Sequence, residues 1–187
     1  MKRMIRLWQA LLALCWWRPR FAAFGLRSFI VQPQQIVNPR YIRIGDRVRV
    51  RHHVRMEALD TLRRPSLTIG DNCNIEQNVH IICSHRVQIG SHCSITARCS
   101  IVDTWHPFTH IGAGRKIGEQ LNPEPATVVI GDHCFIGIGA VIQPNVHLGR
   151  RTVVGANAVV RAGHYPDGAV LAGVPARVIR VIPPEDY

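Results

Sequence analysis

The chain has 187 residues, enough for one domain with decorations and a substantial buried core. Its apolar content of 47% fits a soluble or peripheral protein, and its formal charge of +11 is unevenly placed: residues 1–64 hold fourteen Lys or Arg against three Asp or Glu, while residues 65–187 hold nine of each sign. No zinc-finger spacing, RNP-like aromatic motif or helix-turn-helix accompanies the charge, so nucleic acid is not an expected partner; an anionic membrane surface, a phosphorylated substrate and plain solubility stay open.

Residues 1–40 are expected to form a basic, apolar helix and an irregular lead-in. The run Leu7–Trp17, LWQALLALCWW, is bracketed by Lys2, Arg3 and Arg6 on one side and by Arg18 and Arg20 on the other. A helix needs about twenty apolar residues to cross a bilayer, and this run is too short. No small-x-small cleavage site follows, which argues against a signal peptide. Two compatible readings remain. The segment lies along a membrane interface, or it packs over the open end of the structure that follows.

From residue 41 to 180 a six-residue period dominates. Ile130, Ile136, Ile142, Leu148, Val154 and Val160 recur at a strict interval of six, and Cys134, Ala140, Val146, Thr152 and Ala158 echo four positions later. Gly131, Gly137, Gly149 and Gly155 directly follow four of the aliphatics. Upstream, Ile44, Val50 and Met56, then Ile69, Ile75 and Ile81, then Ile89, Ile95 and Ile101 repeat the pattern. An amphipathic helix needs a period near 3.6 and a plain strand a period of two, so neither explains it. A short strand plus a corner does, with the aliphatic inside and Gly relaxing the turn. Three such units close one triangular coil, giving an all-β parallel β-helix of roughly five coils, about 24 Å tall at the strand spacing.

The cysteines follow the same logic. Cys73, Cys93, Cys99 and Cys134 take the small inward position, which suits a buried free thiol better than a disulfide framework. A reducing cytoplasm is the expected compartment, and with no CxxC pair a zinc ribbon is not expected. The repeat breaks after Ile101 and resumes at Ile130, so residues 102–129 are expected to leave the prism as one long excursion loop, a common home for function. The prism is expected to close near residue 180, with 181–187 a tail or short helix.

His106, in DTWHPF, stands out on that excursion. A neutral imidazole suits proton removal from a hydroxyl near pH 7. Asp103, three residues earlier, is expected to hold its second ring nitrogen, and Trp105 and Phe108 to line a sugar-accepting surface. His110 is a weaker rival for the base. His80, His85, His92, His133 and His147 lie on the coils, where outward histidines are unremarkable. A zinc site built from His80, His106 and His110, as in gamma-class carbonic anhydrases, lacks the Arg and Gln companions of that site, so no metal is expected.

The C-terminal stretch VVGANAVVRAGHYPDGAVLAGVPARVIR resembles the hexapeptide-repeat acyltransferases, and NPRYIRIG at the start of the repeat resembles the branch of sugar O-acetyltransferases that modify surface polysaccharides. The resemblance covers residues 41–180. It implies a left-handed prism, a homotrimer, active sites at subunit interfaces and acetyl-CoA as donor. His106 matches the catalytic histidine of that family. Ala156 matches a backbone contact to the pantetheine arm, with Ile138 in the same column one coil earlier. Arg161 matches a position beside the adenosine, and Arg177 and Arg180 match basic residues near the CoA phosphates. Ala162 departs from the Lys or small polar residue of the best-known sugar acetyltransferases, which touches individual adenosine contacts. The expected function is O-acetylation of a sugar hydroxyl by direct transfer. The acceptor is a surface polysaccharide or lipid-linked glycan precursor at the cytoplasmic face of a bacterial inner membrane. Acetylation of an antibiotic or amino sugar, a zinc-dependent protein like the gamma-class carbonic anhydrases, and a non-catalytic binding or structural prism are the alternatives.

Overall fold

The structure, a computed structural model, describes residues 8, 11–59, 62, 64–109, 114 and 116–186. Six complete coils and part of a seventh wind in register. The first holds β1 (Ala23–Phe24), β2 (Phe29–Ile30) and β3 (Gln35–Val37), and the second β4 (Ile42–Ile44), β5 (Arg49–Val50) and β6 (Arg55–Ala58). The third holds β7 (Ser66–Ile69), β8 (Asn74–Ile75) and β9 (His80–Cys83), and the fourth β10 (Arg86–Ile89), β11 (Ser94–Ile95) and β12 (Ser100–Val102). The fifth holds β13 (Thr127–Ile130), β14 (Phe135–Ile136) and β15 (Val141–Ile142), and the sixth β16 (Val146–Leu148), β17 (Val153–Val154) and β18 (Val159–Val160). The seventh begins with β19 (Gly163–Tyr165) and β20 (Ala169–Gly173), and β21 (Ala176–Val181) turns back antiparallel along β20. The first strand of every coil stacks into one parallel sheet, the second into another and the third into the last, making the three faces of a prism.

Both expected inward columns are interior. The aliphatics from Ile44 to Val160 and the small residues Cys73, Val79, Cys93, Cys99, Cys134, Ala140, Val146 and Ala158 are all at most 2% exposed. The buried thiols donate to main-chain carbonyls of the following coil, as Cys73 does to Gly90 at 3.1 Å and Cys134 to Gly149 at 3.2 Å. Thr152, a hydroxyl in the column of the thiols, is satisfied by the Gly149 carbonyl at 2.8 Å. None of the six cysteines forms a disulfide.

The glycines after the aliphatics serve a different purpose from the one expected. They do not need a left-handed backbone; that conformation falls on the corner residues two further on, such as Asn72, His92 and His133. They are needed for room. A Cβ on Gly131 would stand 2.7 Å from the Arg150 backbone nitrogen of the next coil, and one on Gly137 would stand 2.6 Å from that of Ala156.

The prism also starts earlier than residue 41. β1, β2 and β3 pair in parallel with β4, β5 and β6 and form a full coil inside the expected lead-in. The excursion is correspondingly tighter, since Val102 still belongs to β12 and Thr127 already to β13, leaving residues 103–126. Val181 remains in β21, and a 3-10 turn at Pro184–Asp186 follows.

Every departure from the six-residue period falls at one corner, where the third face hands over to the next coil. The 3-10 turn Pro39–Tyr41, the extra residues between Ala58 and Ser66, the extra pair Ser84–His85 and the excursion that leaves after Val102 and returns at Thr127 all fall there. At the N-terminal end a π-helical turn, Ala13–Trp17, lies over the first coil. Ala13 is buried, Trp17 packs edge-on against Phe21, and Phe21 against Phe24, with ring centroids 5.9 and 5.3 Å apart. That face of the segment caps the prism. Among the described residues no helix is long and apolar enough to cross a membrane.

Candidate active site

The excursion is held at its root by two buried polar side chains. Asp103 is fully buried, and its carboxylate accepts the backbone N–H groups of Ser84, His85 and Arg86 at 2.6, 2.7 and 2.7 Å. It therefore pins the two-residue insertion in the coil below. Asn122, also fully buried, ties the two arms of the excursion together. Its Oδ1 accepts from the Thr104 hydroxyl at 2.7 Å and the Trp105 N–H at 3.3 Å, its Nδ2 donates to the Glu124 carbonyl at 2.6 Å, and its N–H donates to the Trp105 carbonyl at 3.0 Å.

His106 follows directly on this staple and is exposed. Its Nδ1 lies 2.8 Å from the Gln120 carbonyl oxygen on the returning arm. A carbonyl only accepts, so Nδ1 carries the proton, and in the neutral ring Nε2 keeps its lone pair. The expected partner, Asp103, is thus replaced: its oxygens are occupied by three amides, and a main-chain carbonyl orients the ring. Trp105 and Phe108 flank His106 with side chains 39% and 78% exposed, open to a ligand. Neither Gln120 nor Asn122 was visible as a site residue in the sequence. A backbone carbonyl leaves no residue-type signal, and Asn122 before Pro123 reads as an ordinary turn.

Asp103→Ala should lower the unfolding free energy by about 3 kcal/mol, because three buried amides lose their acceptor. Urea denaturation measures it. An unchanged midpoint with lost turnover would instead restore a direct role beside His106.

The histidines of the coils meet only in pairs, His92 stacked on His133 and His147 beside His164 with ring centroids 4.6 and 4.4 Å apart, and His80 stands apart from these. His80 pairs in register with Arg55, whose guanidinium is engaged by the buried Glu57. Burial first, then the Arg55 charge, holds His80 below the usual histidine range. Among the described residues no three His, Cys, Asp or Glu side chains are placed to hold a metal ion, and His110 lies outside them.

The residues expected on the donor side are spread over the prism. Ile138 and Ala156 do stack in one column, at the corner between second and third faces, where the Asn157 N–H donates to the Ile138 carbonyl at 2.8 Å. Ile138 is 47% exposed. Arg161 follows β18 at the other edge of the third face, the edge from which the excursion leaves two coils earlier, and its carbonyl accepts the Tyr165 hydroxyl at 2.9 Å. Arg177 and Arg180 are exposed on β21, paired with Ala172 and Val170.

Residues 127–162 match the family model described as bacterial transferase hexapeptide (six repeats). WbbJ of Escherichia coli K12, named as a lipopolysaccharide biosynthesis O-acetyl transferase, is 33% identical over 126 residues, covering 65% of this chain and 64% of WbbJ. The chain is a hexapeptide-repeat prism that resembles the sugar O-acetyltransferases. Galactoside O-acetyltransferase of the same bacterium is 35% identical over 121 residues, 65% of this chain and 57% of that enzyme. The chain thus spans less than two thirds of either relative's length. Among solved structures, AntD, an N-acyltransferase from Bacillus cereus in complex with dTDP and 3-hydroxybutyryl-CoA, superposes with a TM-score of 0.74 at 22% identity over 90% of this chain and 87% of AntD. That likeness shows the fold, the left-handed parallel β-helix. A galactoside acetyltransferase in complex with coenzyme A superposes with a TM-score of 0.57 at 25% identity, covering 91% of this chain and 70% of that chain.

Proposed function

We propose that this prism transfers an acetyl group from acetyl-CoA to a saccharide hydroxyl, with His106 as the general base. The observation that carries the reading is the His106 Nδ1–H donated to the Gln120 carbonyl, which leaves Nε2 as the proton acceptor on an exposed loop. Nε2 takes the hydroxyl proton as the oxygen bonds to the thioester carbon. The carbon–sulfur bond then breaks, and the proton passes to the departing thiolate, yielding an ester and free CoA. Backbone amides at the prism surface hold the oxyanion. Trp105 and Phe108 offer flat faces to the sugar ring. The pantetheine arm runs along the column of Ile138 and Ala156, with Arg161, Arg177 and Arg180 toward the adenosine and phosphates. The acceptor and donor classes follow from the names of the relatives and from the coenzyme A complexes.

The reading places the site between copies of the chain. Within one chain the Ile138–Ala156 column and the root of the His106 loop stand at opposite edges of the third face, about five residues or 15 Å apart. Acetyl transfer needs reacting atoms within about 3.5 Å. A neighbouring prism supplies the missing wall, as a homotrimer does. Light scattering should return three times the 21.0 kDa of the chain, and a monomer at micromolar concentration would remove the interfacial site.

The acceptor proposed is a glycan built on a lipid carrier at the cytoplasmic face of a bacterial inner membrane. Labelled acetyl-CoA offered with lipid-linked oligosaccharides, nucleotide sugars, free amino sugars and aminoglycosides tests it. Label in an alkali-labile ester on the lipid-linked glycan is the expected result. An alkali-stable amide on an amino sugar would make the enzyme an N-acetyltransferase, and no label on any acceptor would leave a binding prism.

A further inference from the structure

The N-terminal segment has two faces, and only one of them caps the prism. Ala13 and Trp17 turn inward, whereas Trp8, Leu11, Leu12 and Trp16 are 67%, 56%, 42% and 50% exposed, and Cys15 is exposed with them. Trp8 is helical, Leu11 and Leu12 are helical and lead into the π-helical turn, and these five positions recur at helical spacing. Capping accounts for the inner face and leaves the outer stripe, with two tryptophans, without a partner among the described residues.

The surroundings of the stripe say what covers it. Residues 1–45 contain eight Lys or Arg and no Asp or Glu; the first carboxylate is Asp46. Arg18, Arg20, Arg27 and Arg40 are all exposed on the segment or the first coil. The Arg20 guanidinium lies 3.5 Å over the Trp16 ring and also donates to the Trp16 carbonyl at 2.7 Å, so the cation is fixed at the rim of the apolar stripe. Tryptophan beside arginine on a short amphipathic helix is the composition that settles at the headgroup level of a bilayer, with the rings toward the acyl chains and the cations against phosphate.

We infer that the outer stripe of this segment docks the prism on an anionic phospholipid surface, with the prism axis rising away from the lipid. The inference rests on the proposed function only for its purpose. The excursion bearing His106 leaves the prism at the fourth coil, three strand spacings or about 14 Å above the first. A saccharide standing off the bilayer on a lipid carrier would meet the base at that height.

The test uses full-length protein without acetyl-CoA. It is sedimented with vesicles of phosphatidylcholine containing about a third phosphatidylglycerol, and with phosphatidylcholine alone. The protein should sediment with the anionic vesicles, and raising salt to about 0.5 M should weaken binding several-fold. A Trp8→Ser/Leu12→Ser/Trp16→Ser variant, which leaves Ala13 and Trp17 in place, should lose at least ten-fold in bound fraction with an unchanged melting temperature. Equal binding by the variant, or no vesicle binding by the parent, overturns the inference. So does a change of oligomeric state in the variant without lipid, which would make the stripe a contact between copies. Vesicle binding by a chain that acetylates no glycan would sink the acceptor and leave the docking face standing.

Discussion

His106→Asn should lower turnover by about 10²–10⁴-fold while leaving the melting temperature and CoA binding nearly unchanged. Asparagine suits the test because its side-chain amide can still donate to the Gln120 carbonyl that now holds Nδ1, so the two arms of the excursion stay joined. It has no lone pair basic enough to take a proton from a hydroxyl. Steady-state turnover with saturating acetyl-CoA measures the chemical loss, and a thermal shift with CoA measures whether the donor site survives. Turnover near the parent level would remove His106 from the reaction. A transient acetyl-enzyme caught by rapid-quench mass spectrometry would replace direct transfer with a two-step route, even if the rate fell as expected.

The interior of the prism was legible because burial acts on residue type at fixed intervals. Ile69, Ile75 and Ile81 have nowhere to point but inward once the six-residue period is seen, and all are at most 1% exposed. The first coil was missed although Phe24, Ile30 and Ile36 keep the same interval, with Gly25 in the expected place. Its echo position holds Ser28, a polar residue that hid the phase. Ser28 is nonetheless buried, because its hydroxyl donates to the Gly45 carbonyl at 2.6 Å and accepts the Val48 N–H at 2.9 Å. A satisfied hydroxyl is tolerated in a core, so hydropathy alone could not identify the coil. The phase slips were visible in the sequence as irregularities. Their common meaning, an elaborated corner, needs the third dimension.

The site was legible in its base and illegible in its supports. His106 on a repeat-breaking loop is a signal that one chain provides. The pairing of Asp103 with His106 followed from nearness in sequence, yet the stronger demand on that carboxylate comes from the amides of Ser84, His85 and Arg86, about eighteen residues earlier and one coil below. A buried charge takes the partners that satisfy most of its acceptor sites. Those partners are backbone groups, which no residue pattern reveals.

Asn122→Ala should be the second largest loss, and it should arise through position and not chemistry. Asn122 touches none of the reacting atoms, but Thr104 and Trp105, the two residues before His106, hang on its Oδ1. Its Nδ2 fixes Glu124 on the arm that also presents the Gln120 carbonyl. Removing the amide leaves the half-buried Thr104 hydroxyl and the Glu124 carbonyl short of their partner, a cost of about 1 kcal/mol that the excursion relieves by opening. An opened root displaces Nε2 relative to the thioester, and a misplacement of about 1 Å can cost on the order of 10² in rate. The expected signature is a kcat lower by about that factor and faster proteolysis within residues 103–126. KM for acetyl-CoA should stay close to the parent value, since Ile138 and Ala156 stand on another corner. Asn122→Asp keeps the oxygen that receives Thr104 and Trp105 but loses the donor to Glu124, so it should recover only part of the rate. Full activity in Asn122→Ala with an unchanged cleavage pattern would show that the His106–Gln120 contact alone holds the base in place.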